Sequence, residues 1–149
     1  MPASQNPIFP NVPYAKCLSG ASNAFTACTT RAPTATASLA GANIVEFVST
    51  STNGRRIDKI QVTASASAIG GATAANVVMI WLWDGTTAFL TDEIPITAQT
   101  PSATAASFQT SKTYTNLVLP AAWKLYVAVG VTTVDASSAL TIQAFGGDY

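Results

Sequence analysis

Val77-Val-Met-Ile-Trp-Leu-Trp83 is an unbroken apolar run of strand length, and Asp84-Gly85 follows it at once. The run is short for a buried helix and rich in β-branched and aromatic residues, so it reads as a strand. A strand that is apolar at every position is buried on both faces, in a sandwich or against another subunit. Asp-Gly closes a hairpin, because glycine reaches positive φ without a Cβ clash. The return strand is Ala88-Phe-Leu-Thr-Asp-Glu-Ile-Pro-Ile-Thr97. Alternation places Leu90, Asp92, Ile94 and Ile96 on one side of it, with Phe89, Thr91 and Glu93 on the other. Pro95 has no N–H to give to a ladder, so this strand lies at a sheet edge or bends there.

Working outward, Ile44-Val-Glu-Phe-Val48 has the same strand character and is followed by Ser51-Thr-Asn-Gly54. Asn-Gly suits a type I′ turn, which predicts a second hairpin returning through Arg56 to about Ala66. On that strand Asp58, Ile60, Val62 and Ala64 share a face. A weaker strand is expected over Thr34 to Leu39, and Ala68 to Thr73 reads as a loop. Downstream, Thr104 to Leu119 alternates Phe108, Thr110, Lys112 and Tyr114 on one side, and Pro120-Ala-Ala breaks it. Trp123, Leu125, Val127, Val129 and Val131 then alternate with Lys124, Tyr126, Ala128 and Gly130. Asp135 to Ser138 is a turn, and Leu140-Thr-Ile-Gln-Ala-Phe145 is the last strand. The sum is seven or eight strands and no segment of helical period. The expected fold is all-β: an antiparallel β-sandwich of jelly-roll or related topology.

A chain of 149 residues is one domain, with a core large enough to need no metal or disulfide. Residues 1–16 are set apart from the domain over 17–149 by Pro2, Pro7, Pro10 and Pro13, interleaved with Ile8, Phe9, Val12 and Tyr14. Proline fixes φ and removes donors, so this is an extended arm unable to pair as a central strand. Ile8, Phe9, Val12 and Tyr14 are the candidate partner contacts; they pack either on a neighbouring subunit or back on their own domain. The N-terminus has neither the positive charge nor the apolar run of a signal peptide, and no stretch is long enough for a membrane helix. Synthesis in the cytoplasm and free thiols at Cys17 and Cys28 are expected.

Charge is the outlying property. Charged residues are 9% of the chain, seven basic and seven acidic, with no histidine, while Ala, Thr and Ser supply about two-fifths of it. Nucleic-acid binding needs clustered Lys and Arg to neutralise phosphates, and the composition excludes it. Histidine base chemistry and histidine metal ligation are absent by inventory. The one adjacent acid pair, Asp92-Glu93, points to opposite faces of a strand and cannot flank one glycosidic bond. Gly70-Gly71 and Gly146-Gly147 lack the spacing of a phosphate loop. No enzyme, cofactor or metal is expected. Trp81, Trp83 and Trp123 read as core or subunit-interface aromatics, with a sugar platform as the alternative. Asp84 and Asp92 are the best oxygens for a calcium-dependent lectin site and are too few. Low charge, weak self-repulsion and side chains with little entropy to lose favour contact between copies.

The series Gly54-Arg-Arg-Ile-Asp-Lys-Ile60, Trp83-Asp-Gly-Thr86, Asp92-Glu-Ile-Pro-Ile96, Thr100-Pro-Ser-Ala103, Leu119-Pro-Ala-Ala-Trp-Lys-Leu125 and Ala144-Phe-Gly-Gly-Asp-Tyr149 resembles small tailed-bacteriophage virion proteins. The resemblance covers about residues 43–149 and departs at Ala122, where a glycine is expected before the tryptophan. It carries no catalytic residues. It implies a virion structural protein on the capsid surface: a decoration (cement) protein, homotrimeric, clamping the major capsid protein through non-covalent contacts. The alternative is a tail-associated or receptor/glycan-binding module.

Overall fold

The computed structural model describes residues 12–19, 25–65, 73–133 and 139–149. The described chain is all-β. Its strands are β1 (Val12–Ser19), β2 (Thr34–Ala35), β3 (Val45–Val48), β4 (Arg55–Ser65), β5 (Asn76–Trp83), β6 (Thr87–Ile96), β7 (Phe108–Leu119), β8 (Lys124–Val129) and β9 (Ala139–Asp148). They form two antiparallel sheets, ordered β1-β9-β4-β7 and β2-β6-β5-β8-β3. The architecture is a β-sandwich, as the sequence predicts. β1 crosses the expected boundary between arm and domain at residues 16 and 17, while Ile8 and Phe9 lie outside the described residues.

The apolar run of β5 occupies the middle of its sheet and is buried on both faces. Val78 and Ile80 enter the main core with Ile57, Ile60 and Val62 of β4, Val127 and Val129 of β8, and Ile142 and Ala144 of β9. Met79 and Trp81 enter a second cluster on the outside of the sheet, with Tyr126 and Ala128 of β8 and with Leu39, Ala42 and Ile44. The cover over the second face is therefore the chain's own segment 27–44. That segment is pinned by Cys28 N donating to Val129 O at 2.8 Å, Thr36 N to Thr86 O at 2.9 Å and Asn43 Nδ2 to Ala27 O at 2.8 Å. The strand expected over Thr34 to Leu39 shortens to Thr34–Ala35 and turns through a 3-10 helix, Thr36–Ser38, which drops Leu39 onto the outer cluster.

The Asp84-Gly85 hairpin forms as read: Gly85 has φ 111°, and Asp84 Oδ1 accepts from the backbone N–H of Thr86 and Thr87, each at 2.9 Å. The Asn53-Gly54 hairpin does not. β3 and β4 lie in different sheets, so residues 49–54 turn a corner of the sandwich and do not join paired strands. Gly54 alone takes positive φ there, at 95°, which a type I′ turn would demand of Asn53 too. Glycine serves a close approach instead: a Cβ on residue 54 would sit 2.9 Å from Leu119 O.

Two bulges correct the alternation. In β4 the register shifts between Ile57 and Lys59, so Ile57 joins Ile60, Val62 and Ala64 inside while Asp58 turns out to pair with Arg56. In β6 the register shifts opposite Ile80 and Trp81, so Ile94 and Ile96 face the main core while Leu90 packs with the outer cluster. An extra residue in one strand inverts the faces on one side of it.

Candidate functional site

β1 is the outermost strand of its sheet, paired along its length with β9 from Val12↔Asp148 to Ser19↔Thr141. Its inward row is Val12, Tyr14, Lys16 and Leu18. Tyr14 and Leu18 pack half-buried against the main core, whereas Val12 stays 58% exposed. Tyr14 is held from beneath: the Arg55 guanidinium carbon lies 3.5 Å from its ring centroid. Arg55 is buried and pairs with Asp148 through two hydrogen bonds, from Nε to Oδ1 and, at 2.9 Å, from Nη2 to Oδ2; Nη1 donates to Ser49 O at 3.0 Å. Those hydrogen bonds hold the Asp148 carboxyl below its ordinary range. Burial pushes the Tyr14 phenol up, against the lowering effect of Arg55. Of the expected arm contacts, Tyr14 is thus engaged with its own domain, and Val12 stays exposed at the strand end.

The three tryptophans separate. Trp81 has no exposed surface beneath segment 27–44, so within the folded chain it is core. Trp123 packs against the main core on the other side of the sheet. Trp83 is half-buried beside Tyr126, with ring centroids 6.3 Å apart, and its Nε1 donates to Thr36 Oγ1 at 2.9 Å. Lys124 Nζ sits 5.3 Å from the Trp83 ring and donates to Glu46 Oε2 at 2.7 Å. Burial raises the Tyr126 phenol. Trp83, Tyr126, Lys124 and Glu46 therefore form a mixed aromatic and charged patch, which the sequence did not single out because Glu46 stands far from Trp83 in the chain.

The scarce charges are mostly consumed inside the molecule. Among the described acids, Glu46, Asp58, Asp92, Glu93 and Asp148 are in ion pairs and Asp84 caps its turn. Asp92 bridges the sheets, accepting from Lys112 Nζ at 2.5 Å and Tyr114 Oη at 2.8 Å. Burial opposes its ionisation, but these bonds prevail and hold it low, while burial and the bond to Asp92 raise Tyr114. Asp84 and Asp92 stand apart in separate roles, and no three Cys, Asp or Glu among the described residues are placed to hold a metal. Cys17 faces out from β1 and Cys28 packs on the outer cluster of the opposite sheet, so both are free thiols. A shallow cavity of about 320 Å³ is lined by Thr50, Ser51, Thr52, Ala121 and Ala122, whose side chains are hydroxyls and methyls.

Ala122, the departure noted in the sequence, has φ 69°. The left-handed region costs an L-residue about 1–2 kcal/mol, while glycine loses about 0.4–1 kcal/mol more chain entropy on folding. Ala122→Gly should therefore stabilise by about 0.5–1 kcal/mol, read as a rise of roughly 2–3 °C in thermal midpoint. A fall in midpoint would show that the turn does not strain residue 122.

The fold and these sites define an all-β sandwich with β1 at the edge of one sheet and the described charges mostly paired with one another. No protein-family model matches the chain, and no curated protein and no solved structure matches it either.

Proposed function

We propose that the chain is a structural protein of a tailed-phage virion, a decoration protein on the head shell whose partners are the major capsid protein and further copies of itself. The strand order carries the reading. With the two-residue β2 set aside, β1-β9-β4-β7 stands against β3-β8-β5-β6, an order that supports an eight-stranded jelly roll of the kind found in viral capsid and lectin domains. A fold hosts many functions, so the surface must agree with it. Here most of the described charges are paired within the chain, and the outer face of the four-stranded sheet carries Gln61, Thr63, Ser111, Thr141 and Gln143. Such a surface binds through buried area and backbone pairing rather than through charge.

Added to heads of the phage that encodes it, the protein should bind saturably. Its affinity should change less than about threefold between roughly 0.05 and 0.5 M salt, since screening has little to act on. A steep loss with salt would overturn the reading. Deleting residues 2–11 leaves β1 whole and should weaken head binding at least about tenfold, about 1.4 kcal/mol, without moving the thermal midpoint. Full occupancy by the truncated chain would remove the arm from the interface.

The Trp83 patch favours a second reading, a receptor- or glycan-binding module. An aromatic face beside Lys124 and Glu46 has the apolar platform and hydrogen-bonding groups that a saccharide uses. Saturable glycan binding lost in Trp83→Ala, with no binding to heads, would replace the first reading by the second.

A further inference from the structure

We propose that β1 is an exchangeable strand: in assemblies of this chain it pairs with β9 of a neighbouring copy instead of β9 of its own. This deepens the assembly reading above by naming the element that joins copies, and it rests on features of β1 that the other long strands lack.

β4, β5, β8 and β9 each bury at least three side chains, whereas none from Val12 to Leu18 is buried. On the inward row, exposed Lys16 separates the half-buried Tyr14 and Leu18. A charge on that row keeps the strand from being locked in by the core, and Pro13 removes one of its backbone donors. What holds β1 is its backbone ladder to β9, the stacking of Tyr14 on Arg55 and the half-buried packing of Tyr14 and Leu18 on the core. All three features exist identically in every copy. Exchange therefore remakes each contact with the neighbour's β9 and Arg55, and the balance between closed and exchanged forms is set by concentration. The opposite edge of the same sheet is tied down: β7 buries Leu119 and is bonded to the other sheet through Lys112 and Tyr114, which both donate to Asp92.

Cys17 supplies the test, because it lies directly across from Gln143 on the outer face. Antiparallel partners stand about 4.5–5.5 Å apart at Cα, within the span of a disulfide. The full-length chain carrying Gln143→Cys and Cys28→Ala would be folded at a series of concentrations, mildly oxidised and run on a non-reducing gel. Exchange predicts disulfide-linked chains whose fraction, while small, rises about tenfold for a tenfold rise in concentration. The Cys28→Ala chain with Gln143 intact, run beside it, should stay unlinked. An internal disulfide alone at every concentration would overturn the proposal, as would equal linking in that control. If the variant does not fold, Ala15→Cys with Phe145→Cys, in a chain also carrying Cys17→Ser and Cys28→Ala, reads the neighbouring row with the same outcomes. Head binding measured on the native chain separates the two ideas. Binding with only internal disulfides removes strand exchange and leaves the decoration reading; linked chains without binding do the reverse.

Discussion

Gly146→Ala is expected to cost more than about 4 kcal/mol, seen as loss of soluble protein or a fall of more than about 10 °C in thermal midpoint. Gly146 sits in β9 between Tyr14 of β1 and Ile57 of β4. A Cβ there would lie 1.9 Å from Arg56 O, 2.9 Å from Arg56 C and 3.0 Å from Ile57 Cα. All three are backbone atoms, so no side-chain rotation relieves the clash. The close approach falls at the β4 bulge, where the register with β9 shifts between Ile57 and Lys59. To admit a methyl group the β9–β4 ladder must open in the middle of its sheet, next to the buried Ile57. A domain has only about 5–15 kcal/mol in total, so this one methyl removes a large share of it. Gly41→Ala is the control: its Cβ would meet only Ser38 O, at 3.7 Å, and the change should stay within about 0.5 kcal/mol. A Gly146→Ala protein melting near the native temperature would mean that β4 and β9 do not pack this closely.

That clash also shows where sequence reading stops. The Gly146-Gly147 pair was visible, but its sequence neighbours give no hint that Arg56 passes over it. The unbroken apolar run found β5 and its burial on both faces, and periodicity found β8 with the correct faces, since a regular strand keeps its two-residue period. It misplaced Asp58 and Leu90, because an extra residue in a strand leaves no mark on composition while inverting the faces. Asn53-Gly54 marks a tight turn whether or not the flanking strands pair, so a corner between sheets was read as a hairpin. The continuous apolar run required a cover on its second face. The cover, segment 27–44, escaped notice because it does the work with Leu39, Ala42 and Ile44 among small polar residues. The site was less legible than the fold. Arg55 and Asp148 are 93 positions apart, and their pairing follows only from the register that brings both β4 and β9 to one end of the sheet. The scarcity of charge was the available clue: a chain with so few charges buries one only where a partner meets it.

Asp148→Ala is expected to destabilise by about 3 kcal/mol and lower the thermal midpoint by roughly 6–12 °C. The Arg55 side chain is 7% exposed and that of Asp148 28%, so the substitution strands a cation that water barely reaches. Ser49 O still accepts from Nη1, which leaves Nε and Nη2 without their acceptors. If the cost comes from the orphaned charge and not from lost attraction, Arg55→Met combined with Asp148→Ala should recover most of it, because a matched apolar side chain carries no desolvation penalty. Acid should act through the same bond. Arg55 depresses the folded pKa of Asp148 below the unfolded value, so its stabilising contribution is complete above the unfolded pKa and is lost as pH falls through the folded one. Asp84 and Asp92 are also held low and contribute to the same acid limb, so the informative quantity is the difference between native and Asp148→Ala stability. That difference should be constant from pH 7 to about 4 and shrink below it. A difference unchanged down to about pH 2 would show that the Asp148 carboxylate is not what holds Arg55. Because Tyr14 stacks on the same guanidinium, amide exchange in the variant should rise first along β1, before the central strands β4 and β5 respond.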